Sequence, residues 1–336
     1  MSDPSLQSLL RDTSRSFYLT MRILPRAVRP QVGLAYLLAR TTDTIADSEL
    51  VPLESRLGAL ADLRGRIMGE SSGPLNFASL APSQDSEAER ALLERCEEPL
   101  RFLAGFAEED RRLIREVLNT IISGQELDLR RFGAARSPHL ASLETEAELD
   151  DYTWRVAGCV GEFWTRLCRA HLFPRKNADD PALLRDGIRF GKGLQLVNIL
   201  RDIPADLRKG RCYIPRQSLK AAGLTPEDLR SAASEPRFRA LYQAWLGRAG
   251  DHLQAGWNYT NALPPGQRRL RLACAWPILI GARTLRRLRG ENVLDPTRRV
   301  KISRREVRAL VARSILLLAW PSGWKAQFNR EISLSK

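Results

Sequence analysis

The chain has 336 residues, 43% of them hydrophobic and 27% charged, with a formal net charge of +14. That balance supports a sizeable core and excludes a disordered or fibrous chain. A sequence pI of about 10.2 calls for an anionic partner: nucleic acid, a membrane surface or a phosphorylated substrate.

The N-terminal stretch MSDPSLQSLLRDTSRSF lacks the apolar segment of a signal peptide. Apolar residues at three- and four-residue spacing predict helices over 30–48, 86–104, 107–130, 145–171, 181–203, 235–262, 266–289 and 303–319. No sustained alternation marks a strand. The Pro- and Gly-rich breaks at 69–84, 173–181, 262–267 and 294–297 are too short for linkers between independent domains. The expectation is one all-α domain over 1–336, a helical bundle with its core at about 12–310 and a basic, apolar tail at 311–336.

The five cysteines (Cys96, Cys159, Cys168, Cys212, Cys274) form no CxxC pair, and His139, His171 and His252 stand apart from them and from one another. This argues against zinc and for a reduced, cytoplasmic setting. A metal here would be a hard cation on carboxylates. The longest uncharged C-terminal run, SILLLAWPSGW, is about half the roughly 20 residues a spanning helix needs. The protein is therefore expected not to cross a membrane. From Arg283 to Arg313 eleven Arg or Lys face only Glu291, Asp295 and Glu306. That segment reads either as a solvated basic face or, with Trp320 and Trp324 after it, as a peripheral contact with anionic lipid at the inner face of a membrane.

Two short stretches carry the chemistry. In AYLLARTTDTIADS, Asp43 and Asp47 stand four apart on a mostly apolar helix, with Arg40 and Tyr36 on nearly the same stripe. Like charges at that spacing repel by a few tenths of a kcal/mol, which suggests a ligand for the carboxylates, although chance or an N-cap role explains most such pairs taken alone. In GKGLQLVNILRDIPADLRKGR, Asn198, Asp202 and Asp206 repeat the four-residue step, with Gln195 one turn upstream and Arg201 and Arg211 close by. Magnesium takes oxygen ligands and commonly bridges one or two carboxylates to substrate phosphates; arginine completes a phosphate clamp. Two such stripes facing each other across a bundle would hold a magnesium-bound diphosphate. Salt-bridging to neighbouring arginines is the plain structural alternative. Pro204 lies between Asp202 and Asp206 and predicts a kink that swings Asp206.

At these residues the chain resembles the squalene/phytoene synthase family of head-to-head prenyl transferases. DTSRSF (12–17), YLLARTTDTIAD, ISGQELDL (122–129), DDYTWRVAGCVGEFW (150–164) and LQLVNILRDIPAD with the following GRCYIP occur in the family's order. The resemblance implies the all-α isoprenoid synthase fold around an apolar cavity and a condensation of two farnesyl diphosphates to presqualene diphosphate. It implies magnesium at Asp43, Asp47, Asn198, Asp202 and Asp206, phosphate clamping by Arg15, Ser16 and Arg40, and Tyr152 near the proton lost as the cyclopropane closes. A phenol with a pKa near 10 serves as a base only with diphosphate or a neighbour relaying the proton. Gly158 and Gly161 would let their helix pass close to substrate or to a neighbouring helix.

Squalene synthases of the family reduce the intermediate with NADPH. No GxGxxG follows a strand here, so a Rossmann site is excluded. RRVKISRRE (298–306) instead resembles a cofactor-contacting segment, which makes Lys301 and Arg304, with Arg15 and Arg40, NADPH ligands. Two positions depart from the pattern: Ser303 stands where an arginine is expected, and Ala46 where an acidic residue is. The leading expectation is a squalene synthase. The alternatives are condensation without reduction, ending at presqualene diphosphate, dehydrosqualene or phytoene, and a catalytically silent binding or assembly member of the fold. Nucleic acid is not expected as a partner, because the acidic stripes would repel it.

Overall fold

A computed structural model describes residues 4–14, 17–77, 79–133, 140–174 and 181–333. They fall into two compact units. The first draws on the described residues of 1–134 and 163–178. Its helices are α1 (Pro4–Ser14), α2 (Phe17–Ile23), α3 (Arg29–Ala46), α4 (Leu53–Met68), α5 (Glu87–Glu94), α6 (Glu97–Ala104) and α7 (Glu108–Phe132). Pro30 in the first turn presets α3, and Leu34, Leu37, Leu38 and Ile45 carry its wholly buried face. Against α3 pack α4, α5 and α7. A buried carboxylate is tolerated at Asp110 of α7 because Gln31 Nε2 donates to it at 2.8 Å and His171 Nε2 lies 2.7 Å away.

The second unit draws on the described residues of 135–162 and 179–336. Its elements are β1 (Ala141–Ser142), α8 (Glu146–Thr153), a π turn at Trp154–Gly158, α9 (Cys159–Leu172, which passes into the first unit at Phe163), α10 (Pro181–Arg208), β2 (Arg211–Cys212), α11 (Arg216–Ala221), α12 (Glu235–Ala262), α13 (Arg268–Leu288), α14 (Arg304–Leu317) and α15 (Pro321–Ile332). The π turn and α10 meet backbone to backbone. A Cβ on Gly161 would stand 1.9 Å from the Gly187 carbonyl oxygen, and one on Gly191 would stand 2.1 Å from that of Ala157. The glycines of the 150–164 block therefore serve a helix–helix approach.

Several sequence expectations are corrected. The predicted helix over 86–104 is two, α5 and α6, and that over 145–171 is interrupted by the π turn, where the Cys159 N–H donates to the Trp154 carbonyl. Two strands of two residues each do form, parallel, with Ala141 opposite Arg211 and Ser142 opposite Cys212. They are too short for any period to reveal. Pro204 does not end α10, which runs on to Arg208. The carbonyl left free four residues earlier, that of Leu200, accepts the Tyr242 hydroxyl at 3.1 Å, so no buried acceptor is orphaned. Gly210, at φ +80°, ends the run and turns the chain into β2.

The C-terminal segment also differs. Trp324, expected at a lipid-facing surface, is buried: it stacks on Trp257 with centroids 5.3 Å apart and donates to Asn261 at 2.9 Å. Arg283 is buried against Glu331 at 2.7 Å, Arg287 bonds Glu306, and Arg298 pairs with Glu291 and Asp295. Arg283 is thus internal, while Arg287 and Arg298 pair with carboxylates and stay open to solvent.

Candidate active site

The acidic stripe of the first unit lies at the C-terminal end of α3. Asp47 is the capping residue, exposed, and its N–H donates to the Asp43 carbonyl at 2.9 Å. That continues the helical step, so both carboxylates stay on one face. Arg40 Nη1 reaches Asp43 Oδ2 at 2.5 Å, and Nη2 bonds Glu89 of α5. One guanidinium therefore serves two carboxylates, Asp43 and Glu89. Burial first, and the Asp47 charge next, push the Asp43 carboxyl above the usual carboxylate range; Arg40 opposes the shift and Glu89 adds to it. Because 45% of the Asp43 side chain stays open to solvent, water tempers this repulsion. Tyr36 donates its hydroxyl to the Thr13 carbonyl at 3.2 Å and so braces α1 on α3. Arg15 and Ser16 lie outside the described residues.

The stripe of the second unit lies within α10. Asn198 is exposed, and Gln195, Asp202 and Asp206 are half-buried. Arg201 holds its neighbour Asp202 with two hydrogen bonds, from Nε at 3.0 Å and Nη2 at 2.5 Å. Asp206 lines a small pocket with Ile199, Ile203, Leu207, Arg211, Cys212, Tyr213 and Ile214. Tyr213 is the residue of this pocket that connects to α8: its ring stacks on that of Tyr152 with centroids 5.1 Å apart. Tyr152 is 9% exposed. The β1–β2 pairing ties the segment before α8 to the segment after α10, and the Tyr152–Tyr213 stack links α8 to the pocket that Arg211 and Asp206 line. Burial pushes the Cys212 thiol up to about 12, so it is no nucleophile in this pocket.

Lys301 is exposed, and its carbonyl accepts from Arg287 Nη1 at 2.5 Å; Arg304, also exposed, opens α14. Ser303, between them, is the N-cap of α14. Its hydroxyl accepts from the Glu306 N–H, and Glu306 reaches back to the Ser303 N–H at 2.9 Å.

Two residues escaped the sequence reading. Glu89 sits in an acidic first helical turn, a pattern that ordinarily complements the helix dipole, and nothing local marks it as a partner of Arg40. Tyr213 lies in the GRCYIP block and could have been singled out as the aromatic nearest to the second stripe.

The donor chemistry suits a hard divalent cation. Among the described residues Arg40 is the cation that bonds both Asp43 and Glu89, and the Asp47 charge adds repulsion at Asp43. Among the described residues no three Asp, Glu, His or Cys side chains form a group that could hold a metal alone. Each stripe therefore suits a cation completed by water and phosphate oxygens rather than a protein cage.

A family model, Squalene/phytoene synthase, matches residues 10–306. The chain belongs to that family. It is accordingly an enzyme of a prenyltransferase family. A presqualene diphosphate synthase of Zymomonas mobilis is 30% identical over 309 residues, covering 89% of each chain. One of Rhodopseudomonas palustris is 34% identical over 251 residues, 74% of this chain and 75% of that one. A phytoene synthase of Mycobacterium tuberculosis is 28% identical over 305 residues, 88% and 85% of the two chains. Among solved structures, TcSQS in complex with the ligand E5700 superposes with a TM-score of 0.76 at 22% identity, covering 98% of each chain. The squalene synthase HpnC from Alicyclobacillus acidocaldarius gives 0.58 at 22%, over 86% of this chain and 94% of that one. These two likenesses speak to the fold, which is the all-helical isoprenoid synthase fold of the family.

Proposed function

We propose that the protein condenses two farnesyl diphosphates head to head and releases presqualene diphosphate without reducing it. The presqualene diphosphate synthases of Zymomonas mobilis and Rhodopseudomonas palustris, at 30% and 34% identity, support this reading. The observation that favours it over reduction is Ser303. Where a cofactor-binding arginine is expected, the chain has a helix N-cap whose hydroxyl and N–H are both engaged with Glu306.

In this reading Asp43 and Asp47, and separately Asn198, Asp202 and Asp206, would hold magnesium. Magnesium supplies charge neutralisation for the departing diphosphate. Arg40 and Arg201 begin paired with Asp43 and Asp202, so arriving diphosphate competes with those carboxylates for guanidinium. Arg211 and Gln195 complete the polar lining, and Arg15 and Ser16 join the diphosphate-binding set. Tyr152 stacks on Tyr213, and we assign its hydroxyl to the proton lost as the cyclopropane closes. The departing diphosphate is the final acceptor of that proton, because a phenol alone is too weak a base near pH 7.

A second reading is squalene formation with NADPH bound by Lys301, Arg304, Arg15 and Arg40; the exposure of Lys301 and Arg304 keeps two cations open to a cofactor phosphate. The test is incubation of purified protein with farnesyl diphosphate and magnesium, with and without NADPH, read by mass spectrometry. Presqualene diphosphate in both samples supports the first reading. Squalene that appears only with NADPH supports the second, and dehydrosqualene in both contradicts the two alike.

A further inference from the structure

Among the described residues six large hydrophobic side chains are exposed, and three of them lie within six positions of one another: Ile315 at 50%, Leu316 at 77% and Trp320 at 62%. They stand where α14 ends and α15 begins. Trp320 is held in place rather than loose, since a Cβ on Gly323 would meet its ring at 2.9 Å and Leu317 Cδ2 at the same distance. On α14 the exposed residues are Arg304, Arg305, Arg308, Ala309, Ala312, Ile315 and Leu316. At 100° per residue they share one face, cationic at its N-terminal half and apolar at its C-terminal half. Opposite charge is spent elsewhere. The acids from Arg304 to Ser333 are Glu306 and Glu331; Glu306 bonds Arg287 and Ser303, and Glu331 bonds Arg283 and Arg313. Among the described residues Arg304, Arg305 and Arg308 have no carboxylate partner. Lys325 and Arg330 on α15 are exposed as well.

We propose that the outer face of α14, with Trp320 at its end, docks on the surface of an anionic lipid bilayer. The sequence alone pointed to the whole of 283–313 with Trp320 and Trp324. The structure withdraws Arg283 and Trp324 into the fold, pairs Arg287 with Glu306, and leaves a shorter, continuous surface. Charge complementarity selects the occupant: the three arginines attract anionic headgroups, while Leu316, Ile315 and the amphipathic Trp320 ring suit the depth just below them. No helix among the described residues is long and apolar enough to cross a membrane, so the contact is interfacial. A second copy of this chain is the competing occupant; a partner with the same face would bring like charges together.

The test is co-sedimentation of the full chain with vesicles of phosphatidylcholine alone and of an equal mixture of phosphatidylcholine and phosphatidylglycerol, with sizing of the free protein alongside. The proposal expects binding to the mixed vesicles that salt weakens. Arg305→Gln with Arg308→Gln should lower it by roughly fivefold per charge, and Leu316→Ser with Trp320→Ser should lower it further at constant charge. All four positions are exposed, and Leu316→Ser alone serves if the double variant expresses poorly. Equal binding to both vesicle types, binding unmoved by either pair of substitutions, or no sedimentation would overturn the proposal. So would an oligomer in the sizing run that Leu316→Ser converts to monomer, since a second copy would then cover the face.

Discussion

The two acidic stripes share a four-residue step but differ in how their charge is balanced. On α3 the stripe sits at the helix end, where exposed backbone carbonyls carry partial negative charge. Asp43 and Glu89 share Arg40 there, and the Asp47 charge acts on Asp43. On α10 the stripe sits inside a 28-residue helix; Asp202 has Arg201 to itself, and Asp206 shares a pocket with Arg211. Among the described residues the first stripe therefore sets one arginine against both Asp43 and Glu89, and the second sets Arg201 against Asp202. Similar spacing in sequence thus yields one stripe that gains most from a cation and one that gains most from a phosphate able to draw its arginines away.

The largest expected effects come from removing a carboxylate. Asp43→Asn and Asp202→Asn should each lower kcat by about 10²–10³, and activity within threefold of wild type in either variant would show that stripe to be structural. The contrast between stripes is sharpened by magnesium titration: Asp43→Asn should raise the magnesium needed for half-maximal rate more than Arg201→Gln does. Tyr152→Phe, which keeps the stack on Tyr213, should lower kcat by about 10² with KM unchanged. A rise in KM at constant kcat would reduce Tyr152 to a packing residue. Tyr242→Phe removes the donor that satisfies the Leu200 carbonyl beside Pro204. It should cost about 1–3 kcal/mol of stability, seen as a lower Tm, while Leu→Met changes elsewhere in the unit leave that carbonyl satisfied.

The smallest effect separates the stripes by proton affinity. Asp43 titrates above its ordinary range partly because of Asp47, so Asp47→Asn should bring the Asp43 midpoint down in a carboxyl NMR titration of metal-free protein. The sign follows from linkage. A carboxyl whose folded pKa is raised binds protons more tightly in the folded state, so stability falls as pH rises from the unfolded pKa through the folded one. Asp47→Asn should shrink that fall. An unchanged midpoint would mean that Asp47 does not reach Asp43.

The stripes were legible because charged residues at helical spacing stand out on apolar helices, and the glycines of the 150–164 block because close approach admits little else. What escaped was set by long-range pairing. Glu89 meets Arg40 across 49 positions, and Tyr242 meets Leu200 across 42. Helix α15 showed no clean period because it buries Gln327 and Glu331 beside Trp324 and Phe328. In α4, likewise, buried Arg56 donates to the Ala46 carbonyl at 2.9 Å and breaks the apolar pattern. Buried polar groups with distant partners read as surface residues until those partners are seen.

A reaction that stops at presqualene diphosphate is recognised by its diphosphate release. Condensation alone frees one diphosphate for every two farnesyl diphosphates consumed; any onward conversion to a hydrocarbon frees the second. With magnesium and NADPH present, release is expected at one half per farnesyl diphosphate, the same as without NADPH. A release of one per farnesyl diphosphate, or consumption without release, would contradict it.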